Sequence, residues 1–176
     1  GDGLAAARHL AAWGVEVRAV LVGDRAAGLR EPAAAELERA QLCGVPVQDA
    51  GGGDAVLDRA LDGARLVVDG VLGTGLRDAP RPRQASAIRS LARAGAPVLS
   101  IDVPSGIDST TGAVHDPCVR ATDTAMLGVA KHGCLLAPRA VVGRLWLVDI
   151  GIPPEAYRAV GVAIPMIAGG DWRRLR

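Results

Sequence analysis

Residues 100–109 read Ser100-Ile101-Asp102-Val103-Pro104-Ser105-Gly106-Ile107-Asp108-Ser109, and the rest of the chain is best read from this stretch outward. Ala96 to Ile101 is an apolar run of strand length, which Asp102, Pro104 and Gly106 end in a forced turn. A carboxylate thus stands at the carboxyl end of a strand, where open parallel α/β sheets bind their ligands. Upstream, Ala85, Ile88, Leu91 and Ala92 share one face of a helix closed by Gly95. Before that helix, Arg65 to Leu72 (RLVVDGVL) is nearly continuous in apolar residues, the pattern of a strand covered on both faces, and Gly73 to Gly75 turns the chain after it.

The remaining segments continue the alternation. Leu4, Ala7, Leu10 and Ala11 define a first helix, with Asp2 placed to cap it and Gly14 to stop it. Val15 to Val22 is a strand ended by Gly23 and Asp24. Pro32 opens a helix carrying Leu37, Ala40 and Cys43, with Gly44 past its end. Val45 to Val47 is a short strand, and Asp54 caps a helix over Ala55 to Leu61. Thr122 to Leu127 and Arg144 to Val148 are strands whose connection is too short for much helix, and a helical turn covers Pro154 to Val160. Strands and helices in this order predict right-handed crossovers and one α/β domain over residues 1–176, a Rossmann-like three-layer αβα sandwich with a mainly parallel sheet. A doubly wound domain begins with a strand that feeds its first Gly-rich turn; Gly1-Asp2-Gly3 has none before it, so the expected sandwich lacks its N-terminal strand and helices in this chain.

At 176 residues and 49% hydrophobic, the chain can bury a substantial core. With three Trp, one Tyr and no Phe, that core must be packed from aliphatic side chains. A formal charge of +1 and the lack of a basic stripe interleaved with aromatics argue against a nucleic-acid partner. The Arg173, Arg174, Arg176 tail reads as a frayed, solvated end. No run approaches the roughly 18 apolar residues of a membrane span, and no signal peptide is visible, so a cytoplasmic enzyme class is the default. Cys43, Cys118 and Cys134 form no metal-binding spacing and read as free thiols. Among the 20 basic residues only Lys131 is lysine, which singles it out as a candidate.

Each motif has a functional and a structural reading. Gly1-Asp2-Gly3 before a helix offers free amides and a carboxylate to an anionic or polyhydroxyl ligand, or it is a helix cap. In DGVLGTGLRD (69–78), Asp69 sits in or at the end of a buried strand, where an ionised carboxylate needs a partner or a cation. Gly73 and Gly75 admit close backbone approach, and Thr74 and Arg77 add a donor and a fixed charge; a tight surface turn is the alternative. Asp102 could act as a general acid or base and Ser105 could donate its hydroxyl or ligate a cation, or both could satisfy local amides in an Asx-type turn. Asp69 and Asp102 both close strands, so a parallel sheet brings them to one rim. Lys131 could bring a cation to the same rim or lie in a surface turn.

The pieces GDGLAAARHL, DGVLGTGLRD, VLSIDVPSGIDSTTG, ATDTAMLGVAKHG and GRLWLVDIGIP, in this order, resemble the YjeF N-terminal domain family, the NAD(P)H-hydrate epimerases. The resemblance implies a Rossmann-like fold, usually as a homodimer, and epimerisation of the hydrated forms of NADH and NADPH, with a fused or separate dehydratase completing the repair. Carried over by motif, Gly1, Asp2 and the loop Gly73, Thr74, Gly75, Leu76, Arg77, Asp78, Ala79 contact the substrate, as does Asp102, while Asp69 and Ser105 ligate a potassium ion. Asp102 is the expected acid and base, and Lys131 orients that carboxylate or the substrate. The Asn residues that precede the GD pair in the family, one of them a cation ligand, are not in this chain. Two rival readings are a non-catalytic scaffold of the same fold and an NAD-dependent oxidoreductase. The intact acidic rim stands against the first, and the missing G-x-G-x-x-G fingerprint against the second.

Overall fold

In the computed structural model, residues 1–23, 29, 31–52, 54–162 and 172–176 are described. The first periodic segment folds as α1 (Asp2–Ala12), which buries Leu4 and Ala7. Gly1, not Asp2, is its N-cap: the Gly1 carbonyl already accepts the amides of Leu4 and Ala5 at 3.0 and 3.1 Å, so the helix starts one residue early and Asp2 makes no capping bond. Val15 closes that helix by donating its amide to Leu10 O (3.0 Å), which confines β1 to Ala19–Leu21. Asp24, expected to end this strand, lies outside the described residues. After α2 (Ala33–Leu42), Val45 is held by Ala40 O (3.1 Å) and packs on Ala7 and Ala40. β2 therefore forms two residues later than expected, over Val47–Asp49, parallel to β1. Asp54 is the first residue of α3 (Asp54–Leu61), and its carboxylate accepts the Ser86 hydroxyl.

The larger sheet is built in the order β3 (Val67–Asp69), β4 (Val98–Ile101), β5 (Asp123–Leu127), β6 (Arg144–Val148), β7 (Trp172–Arg174). Its first four strands are parallel and β7 is antiparallel. Among the described residues β1 and β2 form a separate two-stranded sheet, so the mainly parallel α/β architecture is present with its sheet in two parts. Register places Asp69 beside Ser100, Ser100 beside Thr124 and Thr124 beside Leu145. All four are fully buried on one face, while Val68, Leu99, Ile101 and Ala125 on the opposite face are half-buried.

The buried face is covered by helices. Ile88 and Leu91 of α4 (Pro82–Arg93) pack against Val67, Val98 and Val119. The β5–β6 connection, expected to hold little helix, carries α5 (His132–Leu136) and α6 (Arg139–Val142). Cys134, Val141 and Val142 from these helices join Val103, Ile107, Met126, Leu145 and Leu147 in the largest core cluster. Each such aliphatic side chain contributes about 1.5–3 kcal/mol by leaving water. A further helix, α7, spans Pro154–Ala159.

The arginine tail corrects the sequence reading: it is a sheet edge and not a frayed end. Trp172 meets the Trp146 ring edge-on at 5.0 Å, and the Arg174 guanidinium lies 5.9 Å from the centre of that ring. Arg176 donates to the carbonyls of Cys134, Leu135 and Ala137, so these stems and charges are used in docking. Among the described residues no helix is long and apolar enough to cross a membrane.

Candidate active site

Asp69, the last residue of β3, is fully buried. Its Oδ1 accepts the Ser105 hydroxyl (2.6 Å) and the Val71 amide (3.3 Å), and its Oδ2 accepts the Ser100 hydroxyl (2.8 Å) and the Ser105 amide (2.9 Å). Burial pushes the Asp69 carboxyl above its ordinary range, and the bonds from Ser105, Ser100 and Val71 pull the other way. Among the described residues no basic side chain forms an ion pair with it. Cys118 lies close by, and burial, together with the charge of Asp69, pushes its thiol up to about 12.

Asp102 follows β4 directly and has a φ of 69°, a left-handed conformation that Asp tolerates better than most residues. Its amide donates to Ala125 O (2.7 Å), and its Oδ1 accepts the Leu127 amide (3.0 Å). Oδ1 also forms an ion pair with Lys131, whose ammonium donates to Leu127 O at 2.6 Å. Among the described residues Oδ2 has no partner. Burial pushes the neighbouring Cys134 thiol up to about 11, with the charge of Asp102 adding to the effect.

From Val103 to Ser109 every residue is buried. The polar groups of this loop are met locally: Ile107 N reaches Pro104 O (3.1 Å), Asp108 N reaches Ala113 O (2.9 Å), and Gly106 O and Ser105 O accept His115 N (2.9 Å) and Val119 N (2.8 Å). The Asp108 carboxylate accepts the amides of Thr111 (2.9 Å) and Thr110 (2.7 Å), which hold its pKa below the ordinary range, with a smaller pull from Arg77. Gly133 is seated against this loop: a Cβ there would lie 2.2 Å from Asp108 O.

Opposite lies the exposed loop Gly73–Ala79. Contacts bind it and the preceding Leu72 to the buried one: Leu72 N to Ser105 Oγ (2.8 Å), Ser105 Oγ to Leu72 O (3.3 Å), Ser109 Oγ to Thr74 O (3.1 Å), and Arg77 beside Asp108 at 3.9 Å. Arg77 also donates to the carbonyls of Thr74 (3.2 Å) and Leu76 (3.1 Å). At the start of α1, Gly3 touches the backbone of Gly70, where a Cβ would meet Gly3 Cα at 3.3 Å, so Gly1 and Asp2 arrive at the end of β3. The structure therefore gathers Asp69, Asp102, Ser105, Lys131 and the loop 73–77 at one rim, with Gly1 and Asp2 close to it. Asp78 and Ala79 are exposed. Sequence reasoning missed Ser100, Asp108, Ser109 and the backbone of Leu127. Ser100 carried a signal, a lone hydroxyl inside an apolar strand; the Leu127 amide carried none.

Comparison with known proteins places the chain among relatives. The family described as YjeF-related protein N-terminus matches residues 1–133. The chain belongs to this family. Its relatives there include the bifunctional NAD(P)H-hydrate repair enzyme Nnr of Pyrobaculum aerophilum, 43% identical over 167 residues, 92% of this chain and 32% of that protein. Two others are named NAD(P)H-hydrate epimerase. The one from Dehalogenimonas lykanthroporepellens is 38% identical over 96% of this chain and 66% of its own length. The one from Clavibacter michiganensis is 38% identical over 86% of this chain and 68% of its own length. The chain thus spans about a third of the bifunctional relative and about two thirds of the epimerases. The crystal structure of yeast ynu0 superimposes with a TM-score of 0.80 at 20% identity, covering 99% of this chain and 72% of that one, so the two share a fold.

Proposed function

We propose that the chain epimerises the hydrated forms of NADH and NADPH. The observation that carries this reading is Asp102: a carboxylate fixed through one oxygen at the end of β4, the strand paired with the one that runs into the exposed Gly-rich loop. In the proposed reaction the Asp102 carboxyl passes a proton to the ring hydroxyl, the carbon–oxygen bond breaks and water leaves. The ring nitrogen lone pair stabilises the resulting cation. Water then adds from either face and returns a proton to the same carboxylate. The loop Gly73–Ala79 and the Gly1-Asp2 start of α1 supply the remaining substrate contacts.

Potassium belongs to the same reading. Asp69 and Ser105 fit it, since they offer hard oxygens and a buried carboxylate with no ion-pair partner among the described residues. When bound, the ion would supply positive charge to the site. The Asp69 carboxylate and the Ser105 hydroxyl would hold it. Replacing KCl by choline chloride is expected to lower the melting temperature of the chain, and Asp69→Asn is expected to remove the difference between the salts; equal melting in both salts would exclude this ligand pair. The reading extends to a cytoplasmic homodimer, which sedimentation equilibrium tests directly.

The deciding experiment follows interconversion of the two epimers of hydrated NADH by chromatography. Wild-type chain is expected to interconvert them, and Asp102→Asn to be slower by about a hundredfold or more. Binding without turnover would favour a scaffold, and a near-normal rate in the Asn variant would remove Asp102 from the chemistry.

A further inference from the structure

We infer that Lys131 is a positioning residue, which dedicates one oxygen of Asp102 to the scaffold and so leaves the other as the oxygen that exchanges a proton with the substrate. The inference rests on the proposed epimerase reading and deepens it.

The torsion that orients a carboxylate is broad and roughly two-fold, so an aspartate tied by one hydrogen bond can exchange its oxygens. At this rim that exchange is blocked. Asp102 Oδ1 accepts the Leu127 amide at 3.0 Å and pairs with the Lys131 ammonium, which in turn donates to the Leu127 carbonyl at 2.6 Å. Both polar groups of one backbone residue, the last of β5, thus join the lysine and the carboxylate in a closed ring of contacts. The ring is largely shielded from water, with side-chain exposures of 12% for Lys131 and 16% for Asp102, so turning Oδ1 away would strand an ammonium in a dry place. Oδ2, unpartnered among the described residues, is left to face the substrate.

Lysine suits this position because a compact point charge on a flexible stem meets two acceptors, whereas a planar guanidinium carries five donors that the pocket would have to satisfy. Here it stands as the sole lysine among 20 basic residues. The competing role is a direct one, in which the ammonium's remaining N–H contacts the substrate. Positioning lowers kcat and leaves KM unchanged, while direct contact raises KM.

Two arms test this on the full chain. In the kinetic arm, Lys131→Met is expected to reduce kcat for hydrated NADH by about a hundredfold with KM nearly unchanged, and Lys131→Arg to recover part of the loss. A raised KM with unchanged kcat would overturn the inference. In the second arm the Leu127 amide resonance is followed by NMR, which needs no turnover. It is expected to shift and exchange faster in Lys131→Met; an unchanged resonance would overturn the inference. If wild-type chain shows no epimerisation, the functional reading fails, and the amide arm still decides whether Lys131 fixes the carboxylate. Should Lys131→Met not fold, Lys131→Gln, which also removes the charge, carries the same amide comparison.

Discussion

Every residue from Val103 to Ser109 is buried, whereas in the facing loop Gly73–Ala79 only Leu76 is not exposed. Both loops follow strands of one parallel sheet and both carry glycines, yet they are stabilised differently. The buried loop has its polar groups met by Asp69 and by neighbouring backbone, and packs Val103 and Ile107 into the largest core cluster. The exposed loop is tied chiefly through Leu72, Thr74 and Arg77 to its neighbour. One loop is part of the core, begins just after Asp102 and bears Ser105; the other is exposed. On the proposed reading, a site made this way has its reacting group on the rigid side.

The strongest way to break the contrast is Gly106→Ala. Gly106 has a φ of 111°, and a Cβ there would stand 2.6 Å from Cys118 Cα and 2.7 Å from Pro117 O, backbone that no rotamer change relieves. A loss of about 3 kcal/mol or more is expected in urea unfolding; a near-wild-type midpoint would show that the buried loop yields. Asp108→Asn probes the same loop through pH. The carboxyl of Asp108 is held below its ordinary value of about 3.9, so its stabilisation is present above about pH 4 and is lost as pH falls through the folded value. The wild-type melting temperature is therefore expected to fall more steeply than that of the Asn variant below about pH 4, and parallel curves would exclude Asp108 as a source of acid sensitivity. The smallest effect belongs to the exposed loop. A Cβ on Gly75 meets nothing within 4 Å, so Gly75→Ala is expected to stay within about 0.5 kcal/mol of wild type. A drop comparable to that of Gly106→Ala would erase the contrast between the loops.

Much of this was legible in the sequence where a local signal matched the fold. The apolar run before Asp102 and the run Arg65 to Leu72 located two adjacent strands; the latter strand is Val67–Asp69, shorter than its run, and the register of Asp69 with Ser100 brings the two ends to one rim. The ends of elements were less legible. β1 is shorter than its apolar run and β2 starts later because Val15 and Val45 serve the C-terminal ends of α1 and α2. The arginine tail was unreadable because composition does not reveal that Trp146 and the end of α5 receive it. Within the site, residue types suggested Asp102 and Lys131, but their shared partner is the backbone of Leu127, to which the side-chain alphabet is blind.

The seat of Gly133 against the carbonyl of Asp108 has a practical meaning for protein engineering. It couples the helix that follows Lys131 to the loop that follows Asp102 with no room for a spacer, so residues 100–134 behave as one cassette. On the proposed reading, grafting the aspartate and the lysine alone onto another strand end would copy the chemistry without its jig, and altered selectivity is better sought by varying 73–79, where the surface is open to revision.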